Sequence, residues 1–168
     1  MQSFCPICGG RLRIIGSRYR SCIREDGERI CLALRRLRCR SQGCRKIHHE
    51  LPDLLVPYKR YVSASIEKIV GLPGDRRLTD VGAETGTFRD WNVWFRGQAG
   101  YWRGCLEAIH HRLGRTSAED AASSSQSALQ ALHARVGPHP GWLARIVRPV
   151  VNAGLWVHTR SEWVTDPP

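Results

Sequence analysis

The chain has 168 residues, the size of one ordinary domain or two small modules, which excludes a large multi-domain enzyme. Its net charge is +11, and the first sixty residues hold 14 basic against 5 acidic positions. A basic excess concentrated in one third of a chain predicts a polyanionic partner, the alternative being a solvated face with no partner.

Residues 1–52 read as a separate small module. Six of the seven cysteines lie there. No stretch approaches the ~18 consecutive apolar residues that span a bilayer, and Met1–Leu12 lacks the basic-then-apolar order of a leader. The expectation is a soluble, cytoplasmic, nucleoid-associated protein with no membrane partner. In a reducing compartment, spaced cysteine pairs point to metal rather than disulfides.

Cys5-Pro6-Ile7-Cys8-Gly9-Gly10 has the form of a metal knuckle, with two thiolates two residues apart and small residues that let the backbone wrap. Cys39 and Cys44 form the second pair. Four soft thiolates suit one tetrahedral, structural Zn2+. His48 or His49 in place of Cys44 is the alternative fourth ligand.

Between the pairs, Arg18–Arg24 and Arg29–Arg35 flank Glu25-Asp26-Gly27-Glu28. An Asp-Gly pair between alternating residues predicts a two-residue hairpin turn. That register pairs positions whose numbers sum to 53. It sets Tyr19, Ser21 and Ile23 against Leu34, Leu32 and Ile30, and puts Arg18, Arg20, Arg24, Arg29 and Arg35 on the other face. Cys22 then falls opposite Cys31, read as two reduced cysteines on neighbouring strands. The alternation changes phase through Arg36, Leu37 and Arg38, so a bulge or strand end is expected just before Cys39.

Residues 53–113 read as helical. Apolar spacing predicts a helix over 57–70 with Pro57 in its first turn, a break at Gly71-Leu72-Pro73-Gly74, and a short helix over 78–84. Thr87 then caps the next helix, with Asp90 three residues in as a capping box. Phe88, Trp91 and Phe95 face inward, and a further helix spans 98–113. Residues 114–128 read as a linker. A stripe resumes at Leu129, Leu132 and Val136, and 129–160 form a C-terminal helical segment in which Pro149 is expected to kink the last helix. Cys105 and the scattered histidines read as structural or solvent-facing. The fold class expected is α+β.

Arg36-Leu37-Arg38-Cys39, Cys44, His48, Leu51-Pro52 and Pro57-Tyr58 resemble a bacterial family of transposase-associated proteins with a zinc ribbon and a helix-turn-helix. Leu155-Trp156 and His158-Thr159-Arg160-Ser161 are similar to that family's carboxyl-terminal end. The segment Cys5–Cys44 also resembles the amino-terminal zinc ribbon of insertion-sequence transposases, departing from it in the four residues between Cys39 and Cys44. The resemblance implies double-stranded DNA as partner, with a transposase or a second copy of the chain beside it. Nothing in the sequence supplies a transposase's catalytic domain.

In a helix-turn-helix the second helix enters the major groove. With Phe88, Trp91 and Phe95 inward, 87–95 becomes the reading helix, presenting Thr87, Arg89, Asn92 and Arg96. Arg matches the O6 and N7 of guanine, and Asn the N6 and N7 of adenine. Arg18, Arg20, Arg35, Arg36 and Arg38 are the phosphate-contact candidates. An enzyme is not expected, since Asp53, Asp75, Asp80 and Asp90 lack a strand scaffold that would converge them on metal ions, and no small-molecule substrate is indicated. The competing reading is an RNA- or protein-binding adaptor without sequence-specific DNA readout.

Overall fold

The computed structural model describes residues 3–71, 81–114 and 127–156. Three strands, β1 (Leu12–Ile23), β2 (Arg29–Cys39) and β3 (Ile47–His49), form one antiparallel sheet in the order β1-β2-β3. Four helices follow: α1 (Ser63–Val70), α2 (Thr85–Arg112), α3 (Ala128–Val136) and α4 (Trp142–Asn152). The architecture is α+β.

The hairpin register differs by one residue from the sequence expectation. From Gly16 to Ile23 the observed pairs sum to 52, as in Cys22↔Ile30 and Ser21↔Cys31. The turn is the cause. Arg24 N–H donates to Glu28 O and Gly27 N–H to Arg24 O, so Glu25, Asp26 and Gly27 make a three-residue loop. Gly27 takes the positive φ of 88°, whereas Asp26 uses its Oδ1 to accept the Glu28 N–H. A two-residue type I′ turn needs positive φ at both central positions, and only one provides it.

Because side chains alternate, a shift of one residue exchanges the faces. Arg18, Arg20 and Cys22 share a face with Leu34, Leu32 and Ile30, while Tyr19, Ser21 and Cys31 lie on the other. Cys22 is fully buried and Cys31 exposed. The irregularity expected on β2 lies instead on β1, between Ile14 and Gly16, opposite Leu37 and Arg36. Gly16 has φ 142°, a backbone state that suits glycine at a bulge.

The hairpin joins the helical part through residues 51–62. Leu55 and Val62 cover Cys22 and Leu34 in a small apolar cluster, and Leu51 packs against both this cluster and the helical core. Ile23 N–H donates to Arg60 O, and Val62 N–H donates to Ile23 O. These bonds extend the sheet edge onto the connecting segment.

The helices differ from expectation in their ends. α1 begins at Ser63, not at 57, because Tyr58 takes a positive φ of 62° that a right-handed helix does not allow. Of the helix expected over 78–84, residues 81–84 are not helical and the rest lie outside the described residues. α2 starts at Thr85 with Glu84 as N-cap and no side-chain cap bond, so Thr87 is inside the helix and the expected capping box is not made. The two helices expected over 87–95 and 98–113 are one. Trp91, Phe95, Ala99, Trp102 and Leu106 continue a single buried stripe past Gly97, and this packing outweighs the ~1 kcal/mol helix penalty of a glycine. A capping box does occur at α3, where Ser127 and Gln130 exchange hydrogen bonds.

α2 is the hub on which α1, α3 and α4 pack. Its core includes Ile66, Trp102, Leu132, Leu143, Ile146 and Val150, each almost fully buried. α4 carries Pro149 within the helix. Residues 115–126, most of the expected linker, and 158–161 lie outside the described residues.

Candidate metal centre and cationic face

Two backbone loops bring the four cysteines together. In the first, Gly9 N–H donates to Cys5 O and Cys5 N–H to Gly10 O. In the second, Cys44 and Arg45 N–H both donate to Ser41 O, and Cys39 N–H donates to Lys46 O. Gly10 permits their contact: a Cβ there would fall 2.1 Å from Ser41 Oγ and 3.1 Å from Cys39 Sγ. The extra residues between Cys39 and Cys44 are taken up by this turn, in which Arg45 adopts a φ of 49°.

The ligand atoms of Cys5, Cys8, Cys39 and Cys44 all lie within 4.8 Å of one another and can hold a metal ion. Cys8 and Cys39 sulfurs are 3.4 Å apart, and Cys5 and Cys44 sulfurs 3.7 Å. Tetrahedral bonds of ~2.3 Å require sulfurs about 3.8 Å apart, close to both spacings. The thiols also behave as a set. A Gly10 backbone hydrogen bond, then Cys39, lowers Cys8 to about 6. Cys44, although Lys46 backbone pulls it down, is pushed up to about 11 by burial and by Cys8, Cys5 and Cys39. Four thiols this close do not all ionise without a cation between them, and a divalent ion removes that conflict.

His48 lies outside the four-sulfur set. Its Nε2 is 3.2 Å from Cys5 Sγ, placed by the pairing of Leu37 with His48. Burial, then the neighbouring His49, holds this imidazole toward its neutral form. From there a ring N–H can donate to the Cys5 sulfur, the outer-sphere support that metal-bound thiolates commonly have. His49, one residue on, alternates to the other face.

That other face carries the charge. Pairing and alternation place Arg18, Arg36, Arg13, Arg38 and His49 on one side of the sheet: Arg13 pairs with Arg38, Arg36 with His49, and Arg18 sits diagonally from Arg36. Arg13 and Arg38 are like charges directly opposed, an arrangement that destabilises a sheet by itself. Among the described residues no carboxylate pairs with Arg13, Arg18, Arg36 or Arg38; Glu28, Glu50, Glu25 and Asp53 are paired with Arg24, Arg35, Lys68 and Arg148, and Asp26 accepts the Glu28 N–H.

The other candidates fall elsewhere. Arg20 turns into the protein, where its Nη2 donates to Lys59 O at 2.7 Å and Val56 O at 3.4 Å, and desolvation lowers its pKa. Arg35 is bound by Glu50 through both Nε and Nη2. Arg89 and Arg96 are exposed on α2, Thr87 is half-buried there, and Asn92 donates its Nδ2 to Phe88 O of its own helix. No strand of the sheet packs against α2, so these positions and the ribbon face are not parts of one contiguous element pair. Arg13 escaped the sequence reading, and His49, expected only as an alternative to Cys44 at the metal, lies instead on this face. Gly16 inside an otherwise regular strand was the available signal, since it marks the bulge that turns Arg13 to this face.

A family model described as Domain of unknown function (DUF6431) matches residues 5–91, which take in the sheet, the cysteine cluster, α1 and the start of α2. No curated protein and no solved structure matches the chain.

Proposed function

The chain belongs to the DUF6431 family, and we propose that it is a zinc-stapled, non-catalytic protein that binds double-stranded DNA through the arginine face of its sheet. The observation that carries this reading is the opposed pair Arg13 and Arg38, extended by Arg18 and Arg36, with no carboxylate among the described residues to neutralise it. A folded protein retains such repulsion at little cost when an anion settles over it, and a phosphodiester backbone presents anions in a row. Zinc is the metal that four thiolates at tetrahedral spacing suit best. Its part is to hold the two knuckles and, through Cys39 and Cys44, the strands that carry the arginines.

Phosphate contacts position a protein without reading sequence. Arg89 and Arg96, exposed on α2, remain the candidates for base contact, and a role beside a transposase rests on the family resemblance alone.

The test is a salt titration of binding to labelled duplex DNA. Each arginine in contact with phosphate should add about 0.9 to the log-log slope, so Arg13→Gln, Arg18→Gln, Arg36→Gln and Arg38→Gln should each lower it by about 1. A wild-type affinity that does not change with salt defeats the proposal. Equal binding of a single-stranded RNA with the same variants affected favours the adaptor reading.

A further inference from the structure

The arginine face has a bare floor. Gly16 stands opposite Arg36 at the bulge, and a Cβ placed there would meet nothing within 4 Å. Along β1, Arg13 and Arg18 flank this position; across it stand Arg36, then His49 on β3. A glycine in a strand interior often marks where a ligand comes close to the backbone. A strand position without a side chain, flanked and faced by arginines on the same side with an imidazole one strand further, has the chemistry of a phosphate seat.

His49 is exposed, and desolvation, then Arg18 and Arg36, holds its pKa below the ordinary value. Among the described residues no acidic group compensates: the connecting segment over 51–62, which packs on this face, carries Tyr58, Lys59 and Arg60, and its Asp53 is bound to Arg148. β1 contributes Arg13 and Arg18, β2 contributes Arg36 and Arg38, the adjacent His48 turns to the metal side, and Glu50 is bound to Arg35. At neutral pH the free site therefore holds a neutral imidazole. An arriving phosphate reverses the sign of the local field and favours the imidazolium.

We propose that the open backbone at Gly16 is the floor of a phosphate subsite, and that His49 takes up a proton as the phosphate binds. This deepens the DNA-binding reading and rests on it. Because binding captures a proton, affinity must rise as pH falls through the interval between the free and bound pKa values of His49. Dissociation returns the proton to solvent, so the balance involves no other reactant.

The experiment uses the full zinc-loaded chain and a labelled duplex of about 12 base pairs at fixed low salt, from about pH 8 to 6. The wild type should tighten roughly three- to tenfold across that range, and His49→Gln should lose most of that dependence while still binding. Histidine ring signals of the wild type, followed by NMR with and without duplex, should show the His49 midpoint moving to higher pH on binding. This second measurement stands even if the variant folds poorly. A variant that keeps the wild-type pH dependence, or a His49 midpoint unmoved by duplex, overturns the inference and leaves the DNA-binding reading intact. Absence of duplex binding at every pH overturns both.

Discussion

The Glu67 carboxylate accepts the backbone N–H of Leu143 at 2.9 Å and, through its other oxygen, that of Gly141 at 2.8 Å. A side chain of α1 thus caps α4, across 76 residues of sequence. The acid is buried, at 8% exposure, and its charge is met by donors and by the positive end of the helix. Glu67→Ala leaves those donors without a partner and should cost about 1–3 kcal/mol in chemical denaturation, with Glu67→Gln intermediate. Indistinguishable midpoints for wild type and Glu67→Ala would contradict this role.

Arg20 and Arg18 lie two residues apart on one face with different work. Arg20 holds the carbonyls of Lys59 and Val56, whereas Arg18 is exposed on the arginine face. Arg20→Met should lower stability by about 1–3 kcal/mol and leave the DNA salt slope unchanged. Arg18→Gln should do the reverse, lowering the slope by about 1 with stability within ~0.5 kcal/mol of wild type. Paired denaturation and binding titrations separate the two.

Thiol labelling reports the hairpin register. With metal bound, Cys31 should react with a maleimide readily, and Cys22 and Cys105, both buried, only slowly. Peptide mapping by mass spectrometry reads the order directly. Fast modification of Cys22 in the folded chain would argue for the other register.

Removing a metal held by the four sulfurs should loosen the knuckles before the helices, because that ion would tie the two loops together, whereas α2 has its own apolar core. Hydrogen exchange after chelation should rise first in 5–12 and 39–49 while 91–106 stays protected. Elemental analysis should find one zinc per chain, and an intact chain without any would rule the staple out.

His133 gives a pH signature on the helical side. It packs on Trp142 with ring centroids 5.0 Å apart, and burial, then Arg145, depresses its pKa despite an opposing contribution from Glu67. The unfolded chain therefore binds this proton more readily than the folded one. Stability is highest above the unfolded value near 6.5 and falls as pH drops from there through the lower folded pKa. His133→Phe should flatten this part of the profile relative to wild type in thermal melts between about pH 7 and 5.

The α+β class, the four cysteines and the basic loading of the ribbon were all readable from spacing and composition. Cysteine pairs declare themselves because metal chemistry demands particular residue types close in sequence, and the inward stripe of Phe88, Trp91 and Phe95 declares itself by helical period. The S-x-x-Q capping box at Ser127, equally local, lay in the stretch expected to be linker and was not read. What the sequence left open turned on single residues with more than one permitted geometry. Gly27 alone, rather than Asp26 with Gly27, took the positive φ, and that one angle exchanged the faces of the hairpin.

The division has a physical basis. Residue types fix which bonds can form: thiolates with a soft metal, aromatics with each other, arginines with anions. Which of these bonds share a surface depends on register and on contacts between distant segments. The bulge at Gly16 turned Arg13 toward Arg38, the carbonyl of Lys59 drew Arg20 inward, and Glu50 bound Arg35. Local sequence carries no record of those encounters, because each is decided by free-energy differences of a few kcal/mol summed over the whole fold.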